Sequence, residues 1–494
     1  MKQIVNETMY RFSYLSRLQA SPNEKRFSVV VAKANKKSNQ YDSELYIGDK
    51  SLTSVIHLGQ QAETLFLSDE TVLLVADANK KRREKTVKDR QTRLSILDVS
   101  TKKVSYLATL PIPISLERRL SETDILVSSS LLQADHILYE GDAKDRRAYL
   151  KRQQDEAFAH DIEELPFLFN GAGFVYGKRK QLFILNLKTF KLTRITPKNF
   201  SYSQVEVRDD GALILSGHYE ASVRVPTSGL YEYNLKKQSF SELLFADNYK
   251  IDRFFLKDSS ILVFASDMKT YGLNQNPDLY QLRQGKLAKI VDFGYSVYST
   301  VGADVRYGGT PQAVQGTPAY CVTTRDDHTD IIQITDKGIK RVYEASGSVD
   351  GLIRYQDGFL AIGLPIVLGQ GQDLQEVYRM DSSFNVTPVS DFNKKSLYGY
   401  YVATHEEVVV EKSSHTIKGW VLRPEGYDQS TSYPMILDIH GGPKTVYGPV
   451  YYHEMQVWAN AGYLVCFANP RGSDGKGDAF ADIRGRYGEI DYQD

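Results

Sequence analysis

A β-propeller of about seven blades, followed by an incomplete α/β-hydrolase sheet, is the fold class that the order of residues predicts. Three observations predict it. Strand-turn-strand units recur up to about residue 395, their spacing is nearly constant, and after Lys395 the pattern changes to short apolar runs separated by a helical stretch and Gly/Pro turns.

Each unit contains a short strand written as an acidic or polar residue, an aliphatic anchor, and an aromatic or aliphatic residue. It appears as Glu44-Leu45-Tyr46-Ile47, Arg93-Leu94-Ser95-Ile96, Gln181-Leu182-Phe183-Ile184, Gly229-Leu230-Tyr231-Glu232, Asp278-Leu279-Tyr280-Gln281, Asp330-Ile331-Ile332-Gln333 and Glu376-Val377-Tyr378-Arg379. Successive anchors Leu45, Leu94, Leu182, Leu230, Leu279, Ile331 and Val377 lie 49, 88, 48, 49, 52 and 46 residues apart. A period of roughly 40 to 50 residues with several strands per unit is the signature of propeller blades, each unable to bury both faces alone. Turns such as Asp210-Gly211 separate the strands. The 33 tyrosines and the scarcity of helical periodicity before residue 400 fit strands.

The long interval places an insertion at about residues 133–165, rich in charge, and its ordinary reading is a solvated helix or loop at a blade edge. A sharper reading is a lid or a substrate-side arm. The basic run Lys80-Lys81-Arg82-Arg83-Glu84-Lys85 is expected to be an exposed hairpin loop, because Lys+Arg and Asp+Glu balance at 61 each and no net field favours nucleic acid.

Residues 396–494 form the second predicted domain, after a propeller spanning 1–395. Glu407–Glu411 and Ile417–Pro424 are expected to be strands joined through Ser413-Ser414-His415, and Met435–Ile439 a buried strand. Glu454–Ala461 should be a helix closed by Gly462, and Leu464–Ala468 the next strand, which is the crossover that parallel pairing requires. In His440-Gly441-Gly442-Pro443 the glycines follow a parallel strand, so their backbone N–H groups can face the crevice where such sheets bind ligands. Gly442 or Gly441 is therefore the candidate backbone donor for half of an oxyanion hole.

The set His440-Gly441-Gly442-Pro443, Gly462-Tyr463, Asn469-Pro470-Arg471-Gly472-Ser473 with Gly475 and Gly477, and Tyr487-Gly488 before Asp491-Tyr492-Gln493-Asp494 resembles the prolyl oligopeptidase family of serine peptidases. Its acylaminoacyl-peptidase and dipeptidyl-peptidase branch is the most similar, and Ala20-Ser21-Pro22-Asn23, Leu165-Pro166-Phe167 and Asn170-Gly171-Ala172-Gly173-Phe174 look like propeller motifs of that group. The resemblance implies a propeller that screens out folded proteins and a hydrolase domain with a Ser, Asp and His triad acting on short peptides. The family's nucleophile motif, Gly-x-Ser-x-Gly-Gly, has no match in these 494 residues. The expectation is a chain truncated before its catalytic serine and inactive alone, with no triad residue assigned. Ser473 reads as structural and His440 as a loop-ordering residue.

No cofactor is expected, and no metal, since His-Glu-x-x-His and Cys-x-x-Cys are absent. Cys321 and Cys466 stand in different predicted domains, which disfavours a disulfide. Short peptides are the expected partners, with neither nucleic acid nor membrane, and homo-oligomerisation is left open. The first residues have no apolar core of signal-peptide length, and a cytoplasmic location is expected. The rival reading is a non-catalytic, peptide-binding propeller, a pseudoenzyme; a scaffold for protein partners would leave the hydrolase motifs without a purpose. The strand at Met435–Ile439 is also expected to lack the neighbour that would cover its outer edge.

Overall fold

The computed structural model describes residues 1–59, 63–76, 79–246, 248–258, 260–366, 374–412 and 414–494. Strands dominate. Seven four-stranded sheets follow one another between Tyr14 and Pro388, and an eighth four-stranded sheet forms after residue 405.

All seven aliphatic anchors fall on the third strand of a sheet: Gln40–Gly48, Thr92–Asp98, Lys178–Asn186, Gly229–Asn234, Asp278–Arg283, His328–Thr335 and Glu376–Met380. A third strand has an antiparallel neighbour on each side, so its backbone is paired on both edges apart from bulges such as those after Leu45 and Leu94. Each anchor side chain is 0% exposed.

The packing between sheets explains the spacing. Val30, Leu45 and Ile47 of the first sheet share a core with Phe66, Val72 and Leu74 of the second. Equivalent clusters join the second sheet to the third, and so on in order to the seventh. Leu15, Phe27 and Val29 of the first sheet then pack on Tyr355, Leu360 and Val377 of the seventh, so the succession of cores returns to its start. Apolar faces that no single sheet could bury are thereby covered by neighbours on both sides.

Residues 133–177 lie between the second and third strands of the third sheet, Asp124–Leu132 and Lys178–Asn186. They carry the helices His136–Glu140 and Ala143–Asp155 and a small hairpin, Leu168–Phe169 with Gly173–Phe174. The second helix is anchored by Tyr149, whose hydroxyl donates to the buried carboxylate of Asp135 at 2.8 Å. The basic run lies, as expected, in the exposed connection between two paired strands of one sheet, Thr71–Val75 and Thr92–Asp98, but Lys80–Lys88 is a helix there. Asn79 caps it by accepting from the Arg82 N–H at 3.0 Å, and Lys80 and Glu84 pair across one turn at 3.8 Å. Its one large apolar residue, Val87, is exposed, so no periodic apolar face announced it.

The eighth sheet has the strand order Glu406–Glu411, Thr416–Leu422, Leu464–Asn469, Met435–Asp438. Only the last pair is parallel, and the helix His453–Asn460 makes the crossover. Trp420, Leu422, Met455, Val465 and Phe467 form its core. Ser413 of the expected turn lies outside the described residues. The N-terminal segment packs here as well: the Ile4 N–H donates to Asn460 Oδ1 at 2.9 Å, and the Lys2 N–H to the Gly399 carbonyl at 2.9 Å. Among the described residues no helix is long and apolar enough to cross a membrane.

Candidate functional site

The turn after Met435–Asp438 and the turn after Leu464–Asn469 meet at the carboxyl ends of two parallel strands. Asn469 fastens them: its Oδ1 accepts from the Tyr447 N–H and its Nδ2 donates to the Tyr447 carbonyl, both at 2.8 Å. Tyr447 in turn donates its hydroxyl to Asp438 at 3.0 Å. Desolvation and the neighbouring carboxylate keep that phenol protonated.

His440 stands on this platform, its ring edge-on to Tyr447. Its Nδ1 faces the Gly441 carbonyl at 3.2 Å and its Nε2 the Ser473 hydroxyl at 2.9 Å. Burial lowers its pKa, so a neutral ring donates from Nδ1 and accepts the Ser473 proton at Nε2. Ser473 is 1% exposed, and among the described residues no carboxylate hydrogen-bonds the imidazole. This pair orders two loops, which is the role read for both residues from sequence; it offers no path for a substrate to the hydroxyl.

Gly441 and Gly442 are exposed at the rim of the same platform. Among the described residues neither N–H meets an acceptor. Gly442 has φ +128°, and a Cβ there would lie 2.9 Å from the Lys444 N–H nitrogen, so the turn requires glycine. Two unpaired amides on a rigid turn can stabilise a developing negative charge.

A polar seam that sequence reasoning missed ties this platform to the fifth and sixth sheets and the segment between them. Asp474, 1% exposed, accepts from the hydroxyls of Ser296 and of Thr300, the latter at 2.9 Å. Lys444 donates to the Asn274 carbonyl at 2.8 Å and to Asn276, while the Asn276 N–H donates to Asp478 at 2.8 Å. Burial lowers the pKa of Lys444 and raises that of Asp478. Lys418 bonds to Asp326 and, at 3.1 Å, to Asp327 on the tip of a sixth-sheet hairpin. Nearby, Arg471 and His415 hold the Asp494 carboxylate, whose pKa burial alone would raise; those two partners bring it down to about 2. The partners are 168 or more residues apart for Asp474 and Lys444, and no local pattern encodes such pairs.

A cleft of about 860 Å³ is lined by Met1, Glu376, Tyr378, Leu397 and Tyr401, where the seventh sheet meets the connection to the eighth; Gly441 and Gly442 do not line it. Both cysteines are free thiols, and burial pushes Cys321 up to about 12.

Comparison with known proteins agrees with the resemblance carried by the C-terminal motifs. Residues 449–494 match the prolyl oligopeptidase family. A peptidase of Bacillus subtilis, YuxL, is 38% identical over 121 residues, which are 24% of this chain and 18% of that protein. Dipeptidyl-peptidase 5 of Aspergillus fumigatus is 40% identical over 87 residues, 16% of this chain and 11% of its own length. The alignments thus span less than a fifth of these relatives. In structure, Pyrococcus horikoshii acylaminoacyl peptidase superimposes with a TM-score of 0.75 at 18% identity, over 99% of this chain and 71% of its own. A puromycin hydrolase gives a TM-score of 0.66 at 11% identity, over 99% and 71%. These two likenesses show a shared fold.

Proposed function

From this likeness to prolyl oligopeptidase-family peptidases, we propose that residues 1–494 are the substrate-screening and oxyanion-binding part of a serine peptidase that hydrolyses short peptides. The seven sheets are the blades of a propeller ending near residue 395, and residues 396–494 are the N-terminal part of the hydrolase domain. The observation that carries this reading is the exposed Gly441-Gly442 turn, whose N–H groups meet no acceptor among the described residues, at the carboxyl end of a parallel strand just before the family match at 449–494. In the reaction, one of these amides would hold the oxygen of the tetrahedral intermediate, while an amide following the nucleophile supplies the second bond. No Gly-x-Ser-x-Gly motif occurs in residues 1–494 and no triad is assigned within them, so these residues alone are expected not to turn over. Short soluble peptides in the cytoplasm are the proposed substrates, and no cofactor takes part.

The test is direct. The purified chain is offered aminoacyl p-nitroanilides and short peptides, and separately a fluorophosphonate probe. Absence of turnover and of labelling is the expected outcome. Hydrolysis accompanied by a labelled serine within 1–494 would overturn the assignment. A Gly442→Ala change in a chain that includes the nucleophile should distort the turn and misplace its amides, lowering kcat by about 10²-fold with KM little changed, as the loss of one oxyanion donor would.

A further inference from the structure

We infer that His328, Asp330 and Glu344 form a divalent-metal site, best suited to Zn²⁺, on the sixth sheet. The sequence shows no metal motif because the ligands are assembled by strand pairing. His328 and Asp330 are two apart on the strand His328–Thr335 and so share a face. Asp330 is directly opposite Glu344 on the neighbouring strand Gly338–Glu344.

Three features distinguish this group from an ordinary acidic surface. First, the spacing fits. His328 Nε2 is 3.5 Å from Asp330 Oδ1 and 3.6 Å from Glu344 Oε1, and the three donor atoms lie within 4.8 Å of one another. Two N/O ligands at tetrahedral positions around zinc are ~3.4 Å apart.

Second, the atoms that face one another are the ones left without hydrogen bonds. Asp330 is 1% exposed, yet its Oδ1 has no hydrogen-bond partner among the described residues, and the same holds for His328 Nε2. These two atoms face each other as an ion pair at 3.5 Å, too long for a hydrogen bond, so a metal held between them would take the place of the ring proton and satisfy both.

Third, an outer shell is present. His328 Nδ1 is 3.0 Å from Asp327 Oδ1, which fixes the ring with Nε2 turned inward, the arrangement in which a carboxylate orients a metal-binding imidazole. Arg341 occupies the second oxygen of each acid, 2.7 Å from Glu344 Oε2 and 3.8 Å from Asp330 Oδ2, leaving Oε1 and Oδ1 for the metal. Glu344 is half exposed, so the remaining coordination position opens to water.

The ion would clip two adjacent strands, and through Asp327, which also binds Lys418, its occupancy would reach the seam between the sixth and eighth sheets. The site shares no residue with the proposed oxyanion turn and does not depend on peptidase activity.

The experiment uses the untagged full chain, stripped with EDTA and titrated with ZnCl2 by calorimetry, with thermal melting as a second readout. One equivalent of Zn²⁺ should bind and raise the melting temperature. Glu344→Gln, at an exposed position that folding tolerates, should weaken binding at least about tenfold, and His328→Gln should do the same. His440→Gln should leave the affinity unchanged. No binding up to millimolar Zn²⁺, or binding that Glu344→Gln and His328→Gln do not weaken, would overturn the assignment and leave the cluster as a histidine held by carboxylates.

Discussion

The seven repeated sheets and the eighth sheet solve the same problem in opposite ways. In the repeat, each apolar face meets the face of the next sheet and the last meets the first, so the anchors are completely buried. In the eighth sheet the strand Met435–Asp438 is an edge, paired on one side only, and Met435, Leu437 and Ile439 are 61%, 58% and 65% exposed. The open edge agrees with the uncovered strand expected from sequence, whereas these exposures correct the expectation that Met435–Ile439 is buried. A closed succession of sheets stabilises itself through neighbour interfaces, whereas a mixed sheet with an open edge relies on what it docks against. Here the docking partners are the N-terminal segment and the Asp474 and Lys444 seam.

The largest effect should come from breaking the repeat. Leu230 is 0% exposed in the core between the fourth and fifth sheets, and Leu230→Ala should cost about 3 kcal/mol through lost burial and the cavity left behind. Denaturant unfolding followed by circular dichroism measures it. Leu437→Ala, on the open edge, should change stability by less than ~0.5 kcal/mol.

The seam comes next. Asp474→Ala removes the charged acceptor of the Ser296 and Thr300 hydroxyls, which can turn to Asn276 Oδ1 and Thr324 Oγ1 instead, a cost of ~1 kcal/mol. Because the loss falls on docking and not on the repeat, proteolysis between Lys394 and Val408 should accelerate while the resistant core survives. Equal loss of both regions would merge them into a single cooperative unit.

Acid should reach the repeat through Glu220. Burial would raise its pKa, but His218 and the Ser201 hydroxyl outweigh that and hold it at about 2. The folded value lies below the unfolded value near ~4.3, so the ionised carboxylate contributes stability above that pH and loses it as pH falls toward 2. Glu220→Gln should flatten the decline of melting temperature over that window.

How much of this was legible beforehand depends on the range of the interaction. The third strands could be read because a buried aliphatic between polar and aromatic neighbours recurs at a near-constant interval, and pairing on both sides forces that pattern. The Gly441-Gly442 turn could be read because only glycine tolerates the φ of Gly442. The Lys80–Lys88 helix was missed because its stability comes from a cap and an ion pair, without an apolar face. The Asp474 contacts and the His328, Asp330 and Glu344 cluster were missed because tertiary folding or strand register alone brings their members together.

The smallest effect should follow from Leu437→Lys. A charge on an exposed edge position should leave the melting temperature within about a degree, given a stability change below ~0.5 kcal/mol. It should nevertheless reduce concentration-dependent association, seen by light scattering, because edge charges oppose strand-to-strand pairing.

Hydrogen exchange tests the contrast between the two regions most directly. Amides of the third strands, such as Leu230–Tyr233 and Leu279–Leu282, should exchange slowly, and those of Ile436–Asp438 and Leu464–Ala468 markedly faster, in the monomer at low concentration. Equal protection in both sets would contradict the account, showing that the eighth sheet is as self-sufficient as the repeat.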